Sequence, residues 1–194
     1  MINMKYLVLA DIHENFHNLS LAMQYAFNNG IVNGLVLGDL INPGIMHHLG
    51  QSKINFTVVL GNNDGDVYNL SRVAYGYPSI TLFDKYCFQN AGNKSIFLVH
   101  DSFLALLIAK SQEFNFVFCG HDHKAVKKLF GKSILINPGE LSGHMYGKST
   151  FGVWDSESGN FTLMSIKNGW IDIKKYKNDP KFKSENVVYE PSEL

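Results

Sequence analysis

Residues 5–15 read KYLVLADIHEN: an apolar run that stops at an aspartate, with a histidine two positions further on. The same construction recurs at 34–39 (GLVLGD), 56–62 (FTVVLGN), 96–100 (IFLVH) and 116–123 (FVFCGHDH). Each run is short, aromatic or β-branched, and reads as a buried strand. Directly behind the runs come side chains of the kind that ligate metals: Asp11 and His13, Asp39, Asn62, His100, then His121 and His123. One such cluster would be unremarkable, since a lone aspartate is usually a cap and Asn-Asn-Asp-Gly at 62–65 is an ordinary turn sequence. Five in succession are best explained by a two-metal centre. Divalent ions held by imidazole and carboxylate groups serve hydrolysis, most often of phosphate esters.

Working outward from these runs, residues 17–29 (HNLSLAMQYAFNN) place Leu19, Met23, Ala26 and Phe27 on one helical face, with Gly30 as a stop. A short helix is expected after Pro43. Alternation of strand and helix implies a parallel sheet covered on both faces. Residues 79–88 and 95–99 read as two strands around the turn-rich QNAGNK. Asp101 can cap a helix over 102–112. Residues 114–119 form another buried strand, 125–130 and 133–136 a hairpin around Gly131-Lys132, and 149–154 and 161–166 a closing pair around SESGN. The front half is thus α/β and the back half rich in strands. Two sheets packed face to face with helices outside satisfy both.

The bulk composition agrees with one globular domain: 194 residues, 45% hydrophobic and 18% charged. Seventeen basic and seventeen acidic residues cancel, so no global field steers the chain toward nucleic acid or an anionic membrane. Arg72 is the only arginine, which further weakens a nucleic-acid-reading role, including that of a nuclease. Cys87 and Cys119 lie in apolar runs and do not make a disulfide framework. The apolar run at the N-terminus is shorter than a signal-peptide core, and no stretch reaches membrane-spanning length. The expectation is a soluble, cytoplasmic protein. Residues 167–194 are lysine-rich, then acidic, with little periodicity; they are expected to be an extended or partly disordered extension to a domain of residues 1–166, or to wrap a partner subunit.

Open α/β sheets gather their sites at the carboxyl ends of strands, so ligands about a hundred positions apart can meet in one crevice. Two divalent ions bring four positive charges, of which Asp11 and Asp39 neutralise two. The surplus suits a hydroxide and an anionic phosphate, and one carboxylate such as Asp39 can bridge both ions.

The ordered set resembles the calcineurin-like metallophosphoesterases. The matching motifs are Asp11-Ile12-His13, Gly38-Asp39, Gly61-Asn62-Asn63-Asp64, Val99-His100 and Gly120-His121-Asp122-His123, while Asn137-Pro138-Gly139-Glu140 with Gly143 and Tyr146-Gly147-Lys148 resembles the small phosphodiesterase branch of archaea and bacteria. This resemblance runs from about residue 4 to 166 and implies a four-layer α-β-β-α sandwich with two mixed sheets. It further implies that Asp11, His13 and His123 hold one ion, that Asn62, His100 and His121 hold the other, and that Asp39 bridges. Asn15 matches an asparagine that supports the site. The implied cofactors are two divalent ions, manganese first, with iron, nickel, cobalt or zinc also compatible. The implied substrate is a small phosphodiester, and a homo-oligomer is left open.

Asp39, Asn62, Asn63 and His100 are the residues expected to carry the reaction. Asn63 departs from the family, standing where phosphoprotein phosphatases carry a proton-donating histidine and small phosphodiesterases often a cysteine. Glu14 stands where a glycine is common, and Asp101-Ser102 where a glycine and a second histidine are common. His144, just past the NPGE motif, is a further candidate to face substrate; His17 reads as a helix-start residue, and His47, His48 and the Lys127-Lys128 pair as ordinary surface. The competing function is a protein-binding scaffold with a weakened or silent site, as in the retromer subunit related to this family.

Overall fold

The computed structural model describes residues 4–167 and 188–194. The chain runs β1 (Lys5–Leu9), α1 (Phe16–Asn28), β2 (Asn33–Leu37), α2 (Pro43–Gly50), β3 (Asn55–Val59), α3 (Val67–Tyr75), β4 (Ile80–Phe83), β5 (Tyr86–Ala91) and β6 (Lys94–Val99). It continues through α4 (Ser102–Ser111), β7 (Phe116–Phe118), β8 (Ala125–Phe130), β9 (Ser133–Pro138), β10 (Ser149–Asp155), β11 (Phe161–Lys167) and β12 (Val188–Pro191). One sheet has the order β12-β11-β10-β1-β2-β3-β4 and the other β5-β6-β7-β9-β8. Strands β1 to β4 are mutually parallel, as are β6, β7 and β9, while the remaining pairings are antiparallel.

Side-chain alternation along the strands builds the layers. Leu7 and Leu9 face α1, α2 and α3, packing with Leu19, Ile45, Leu49 and Leu70. Val8 and Ala10 point the other way, into the space between the sheets, where they meet Leu98, Phe118 and Ile136. The second sheet repeats the pattern: Ile96 and Leu98 face the first sheet, while Phe97 and Val99 face Ala105 and Ala109 of α4. Trp154 fills the middle, fully buried, with Phe116 and Phe118 each at 5.1 Å between ring centroids. The result is the expected four-layer α-β-β-α sandwich.

The helices begin where capping chemistry directs. Asn15, Asn42, Asp66 and Asp101 each accept from a backbone N–H of the first turn of α1 to α4 respectively. Among the described residues no helix is long and apolar enough to cross a membrane.

Three local expectations need correction. The single strand expected over 79–88 is two strands, β4 and β5, which belong to different sheets. Exposed Asp84 and Lys85 mark the crossing, and the apolar residues on both sides had hidden the break. Helix α3 was not anticipated, because it buries only Leu70 and Ala74 and so carries a thin apolar stripe. Phe27, expected on the buried face of α1, is 68% exposed, and the polar Asn18 is buried in that helix instead.

Most of the expected C-terminal extension, residues 168–187, lies outside the described residues. Its last part, β12, pairs antiparallel with β11. Tyr189 anchors it: the ring lies 5.2 Å from that of Tyr25, and the hydroxyl donates to the carbonyl of Leu21 at 2.9 Å. Replacing Tyr189 with alanine removes a half-buried ring and a hydrogen bond, together about 2 kcal/mol. The expected outcome is a thermal midpoint lowered by roughly 4–8 °C with metal content unchanged. Calorimetry showing an unshifted midpoint would mean that the strand adds nothing to the sheet.

Candidate metal centre

Six parallel strands deliver the site. β1, β2 and β3 of the first sheet end just before Asp11, Asp39 and Asn62; β6, β7 and β9 of the second end before His100, His121 and Glu140. The loops are laced by main-chain bonds: Asp11 N–H donates to Gly38 O at 3.2 Å, His13 N–H to Asp39 O at 2.9 Å and Gly120 N–H to His100 O at 3.1 Å. Leu141 N–H closes the ring by donating to Ala10 O at 3.0 Å.

These loops turn sharply at the candidate ligands themselves. Asp11, His13, Asp39, His121 and His123 all have left-handed backbone, with φ between 42° and 75°. Such conformations cost non-glycine residues on the order of 1–2 kcal/mol each and collect at functional sites. Two glycines allow the loops to close on one another. A Cβ at Gly38 would sit 2.6 Å from His100 Nδ1, and one at Gly61 would sit 2.2 Å from Asp39 Oδ1.

The side chains converge in two groups. Asp11, His13, Asp39 and His123 each place a ligating atom within 4.8 Å of the others. His13 Nε2 lies 3.3 Å from His123 Nε2 and 3.4 Å from Asp39 Oδ2; His123 Nε2 lies 3.7 Å from Asp11 Oδ1. In the second group Asn62 Oδ1 lies 2.9 Å from His100 Nε2 and 2.8 Å from His121 Nδ1. Asp39 belongs to both, because its Oδ1 is 3.5 Å from His100 Nε2 while its Oδ2 faces His13. All seven candidate ligands are therefore brought together.

The electrostatics are those of a site built for cations. Asp11 and Asp39 are 0% and 1% exposed, and their ionic partners among the described residues are histidines, not lysine or arginine. Burial pushes the Asp11 carboxyl up to about 7; His123 pulls against this and Asp39 adds to it. Asp11 Oδ2 is buried without a hydrogen-bond partner among the described residues. Burial lowers His13 and His100, against the pull of Asp39, so both rings favour the neutral form. His100 Nδ1 donates to Leu37 O at 2.7 Å, which leaves the neutral ring's Nε2 lone pair facing the oxygen of Asn62. Two acceptors pointing at each other are reconciled by a cation between them. The donor set fits divalent ions of the nitrogen- and oxygen-ligated class.

Supporting residues complete the frame. Glu140, 1% exposed, accepts from His123 Nδ1 at 2.9 Å, Ser142 Oγ at 2.8 Å, Met145 N at 3.0 Å and Tyr146 N at 2.7 Å. Burial opposes its ionisation, but these four donors outweigh it and hold the carboxyl below its ordinary value. A carboxylate behind a histidine fixes which ring nitrogen is bare. Asp64 staples two ligand loops, accepting from Asp39 N, Ile41 N and Gly61 N at 2.9, 2.7 and 2.7 Å. Asn63 donates to Asp39 twice, from its backbone N at 2.9 Å and its Nδ2 at 2.8 Å. Asn15 caps α1 and donates to Ser142 O at 3.0 Å, so it supports a loop and not a ligand side chain. Glu14 bonds Asn42. His144 is exposed, its ring 6.3 Å from that of His13, which places it at the rim. His47 and His48 bond Tyr77 and Ser20, away from the centre.

The roles of Glu140 and Asp64 were not read from the sequence. Their signal is a carboxylate directly after NPG, and one closing the GNND turn.

Below pH 7 the Asp11 carboxyl of the metal-free protein holds a proton that an incoming ion must displace; above it the carboxylate is bare. Affinity for manganese should therefore fall about tenfold per unit as pH drops below 7, and level off above about 8. Titration calorimetry at pH 6, 7 and 8, in buffers of different ionisation enthalpy, would read both the slope and the released proton. Equal affinity across that range would show that Asp11 is not protonated in the metal-free site.

Residues 4–159 match the calcineurin-like phosphoesterase superfamily domain. A phosphodiesterase of Methanocaldococcus jannaschii is 24% identical over 156 residues, spanning 79% of this chain and 94% of that protein. Among solved structures, an archaeal phosphodiesterase superposes with a TM-score of 0.77 at 21% identity, covering 83% of this chain and 99% of that one. Vps29 from Entamoeba histolytica, complexed with zinc, superposes with a TM-score of 0.59 at 17% identity, covering 97% and 98%. With the matched segment spanning most of the sequence and holding every candidate ligand, the chain belongs to the calcineurin-like phosphoesterase superfamily and is a metal-dependent phosphoesterase.

Proposed function

We propose that the protein is a dinuclear-metal phosphodiesterase acting on a small phosphate diester. The observation that carries this reading is the position of Asp39, one oxygen toward His13 and the other toward His100. On this reading Asp11, His13 and His123 hold one divalent ion, Asn62, His100 and His121 hold the other, and Asp39 is shared. Bound ions of this class supply Lewis acidity and a hydroxide nucleophile near neutral pH. Manganese is the leading candidate and availability decides among the rest. A cytoplasmic setting is part of the proposal and agrees with the two free cysteines. The single arginine and balanced charge argue for a small substrate over nucleic acid.

The chain's own groups set what the reaction can do. Glu140 keeps His123 oriented, and Asp64 with Asn63 keeps Asp39 in place. Asn63 offers an amide, which donates a hydrogen bond but delivers no proton at neutral pH. An alkoxide leaving group gains about 10²–10⁴-fold from a general acid. Diesters with phenol-like leaving groups are therefore the favoured substrates. The alternative is a protein-binding scaffold, which draws on the nearly full-length likeness to Vps29; the complete ligand set weighs against it.

The deciding experiment is metal analysis of the protein reconstituted with manganese, with turnover of an aryl diester. Two ions per chain are expected, and Asp39→Asn should lower both occupancies and reduce kcat/KM by about three orders of magnitude. One ion per chain, or a variant with undiminished turnover, would overturn the dinuclear assignment.

In a separate measurement, Asn63→His should raise alkyl monoester hydrolysis relative to aryl diester hydrolysis, since an imidazole there can donate the missing proton. Efficient wild-type turnover of alkyl monoesters would instead show that another group, His144 or Glu14 first, already supplies it.

A further inference from the structure

A cavity of about 280 Å³ opens beside the second ligand group, and Asn62, His100 and His121 form one of its walls. Leu60, Val67, Val99 and Leu104 supply its apolar lining. They come from the β3–α3 segment, the end of β6 and the first turn of α4, so the cavity is held by elements of both sheets. Leu60 and Val99 are buried, 6% and 3% exposed, whereas Val67 is 42% exposed and stands at the mouth. Four charged residues also line it: Asp64 from the turn after β3, Asp84 and Lys85 from the crossing between the sheets, and Asp101 from the cap of α4. Three carboxylates against one ammonium give this lining a net negative character.

We propose that this cavity is the subsite for one ester substituent of the diester, and that it selects a single neutral aromatic ring over an anionic group. This deepens the phosphodiesterase reading and rests on it. Position supports the assignment, because a phosphate held at the second ligand group has the cavity directly beside it. Size supports it too. A cavity of about 150 Å³ accepts benzene, so the observed space takes one substituted ring and not an oligomer. Its chemistry agrees: apolar side chains stabilise a ring by burial, while Asp84 and Asp101 repel a carboxylate or second phosphate.

The test uses the full chain loaded with manganese and three non-hydrolysable probes: methylphosphonate, phenylphosphonate and 4-carboxyphenylphosphonate. Calorimetry should show phenylphosphonate binding about tenfold or more tightly than methylphosphonate, and the carboxylate should remove most of that gain. Val67→Trp puts an indole across the mouth from a half-exposed position that folding tolerates. It should lower the ratio of phenyl to methyl affinity about tenfold. Asp84→Lys should restore binding of the carboxyphenyl probe. Equal wild-type affinities for the phenyl and methyl probes, or a ratio unmoved by Val67→Trp, would overturn the subsite. Turnover of diphenyl and methyl phenyl phosphate separates the two claims. Diester hydrolysis without any ring preference in binding would leave the reaction standing and sink the subsite. A ring preference without diester turnover would sink the reaction and leave the subsite as a phosphonate-binding cleft.

Discussion

Two carboxylates are buried at the strand ends with, among the described residues, only histidines as ionic partners, and the rest of the site follows from that constraint. Asp11 sits where burial penalises its charge, and the buried Asp39 beside it adds to that penalty. Like charges in such a place either take up protons or recruit cations. The surrounding histidines strengthen the second choice, since burial favours the neutral form of His13 and His100 and so keeps their lone pairs open. What would be an electrostatic fault in an ordinary core is, in this setting, a standing demand for divalent ions.

Holding that arrangement requires a backbone most residues avoid. Five of the candidate ligands are left-handed, and loops from both sheets approach closely enough that Gly38 and Gly61 have no room for a side chain. The cost is carried by the sandwich beneath, in which Trp154, Phe118 and the alternating aliphatic residues lock two sheets into one body. Local fixings do the remainder. Asp64 gathers three backbone donors from two loops, and Asn18, buried in α1, donates to Leu141 O at 2.8 Å and to Ser149 Oγ at 2.7 Å.

The convergence of candidate ligands at strand ends was legible because the signal is local: a short apolar run, then a polar side chain suited to a metal. The layer order was legible for the same reason, as alternating strand and helix leaves few ways to cover a parallel sheet. Other features depend on partners distant in sequence. Nothing near Asn18 announces that its amide will find a loop more than a hundred residues on, and a strand-like run across Asp84-Lys85 gives no sign that its halves join opposite sheets. Phe27 misled because helical periodicity identifies a face without saying how wide a strip the sheet will cover. Glu140 stands within the Asn137-Pro138-Gly139-Glu140 motif, but its task is defined only once His123 is beside it.

Glu140 also binds two things that could otherwise vary separately. One carboxylate receives the ring of His123 and the backbone of Met145 and Tyr146, so this candidate ligand and the rim loop share a single anchor. A change in the rim loop that pulls on this anchor also rotates the imidazole. The 143–148 loop of this chain is therefore not free to change alone: insertions there disturb the His123 ring unless they preserve both amide donors. The opposite flank lacks that coupling, since the β4–β5 crossing and the start of α3 carry no candidate ligand.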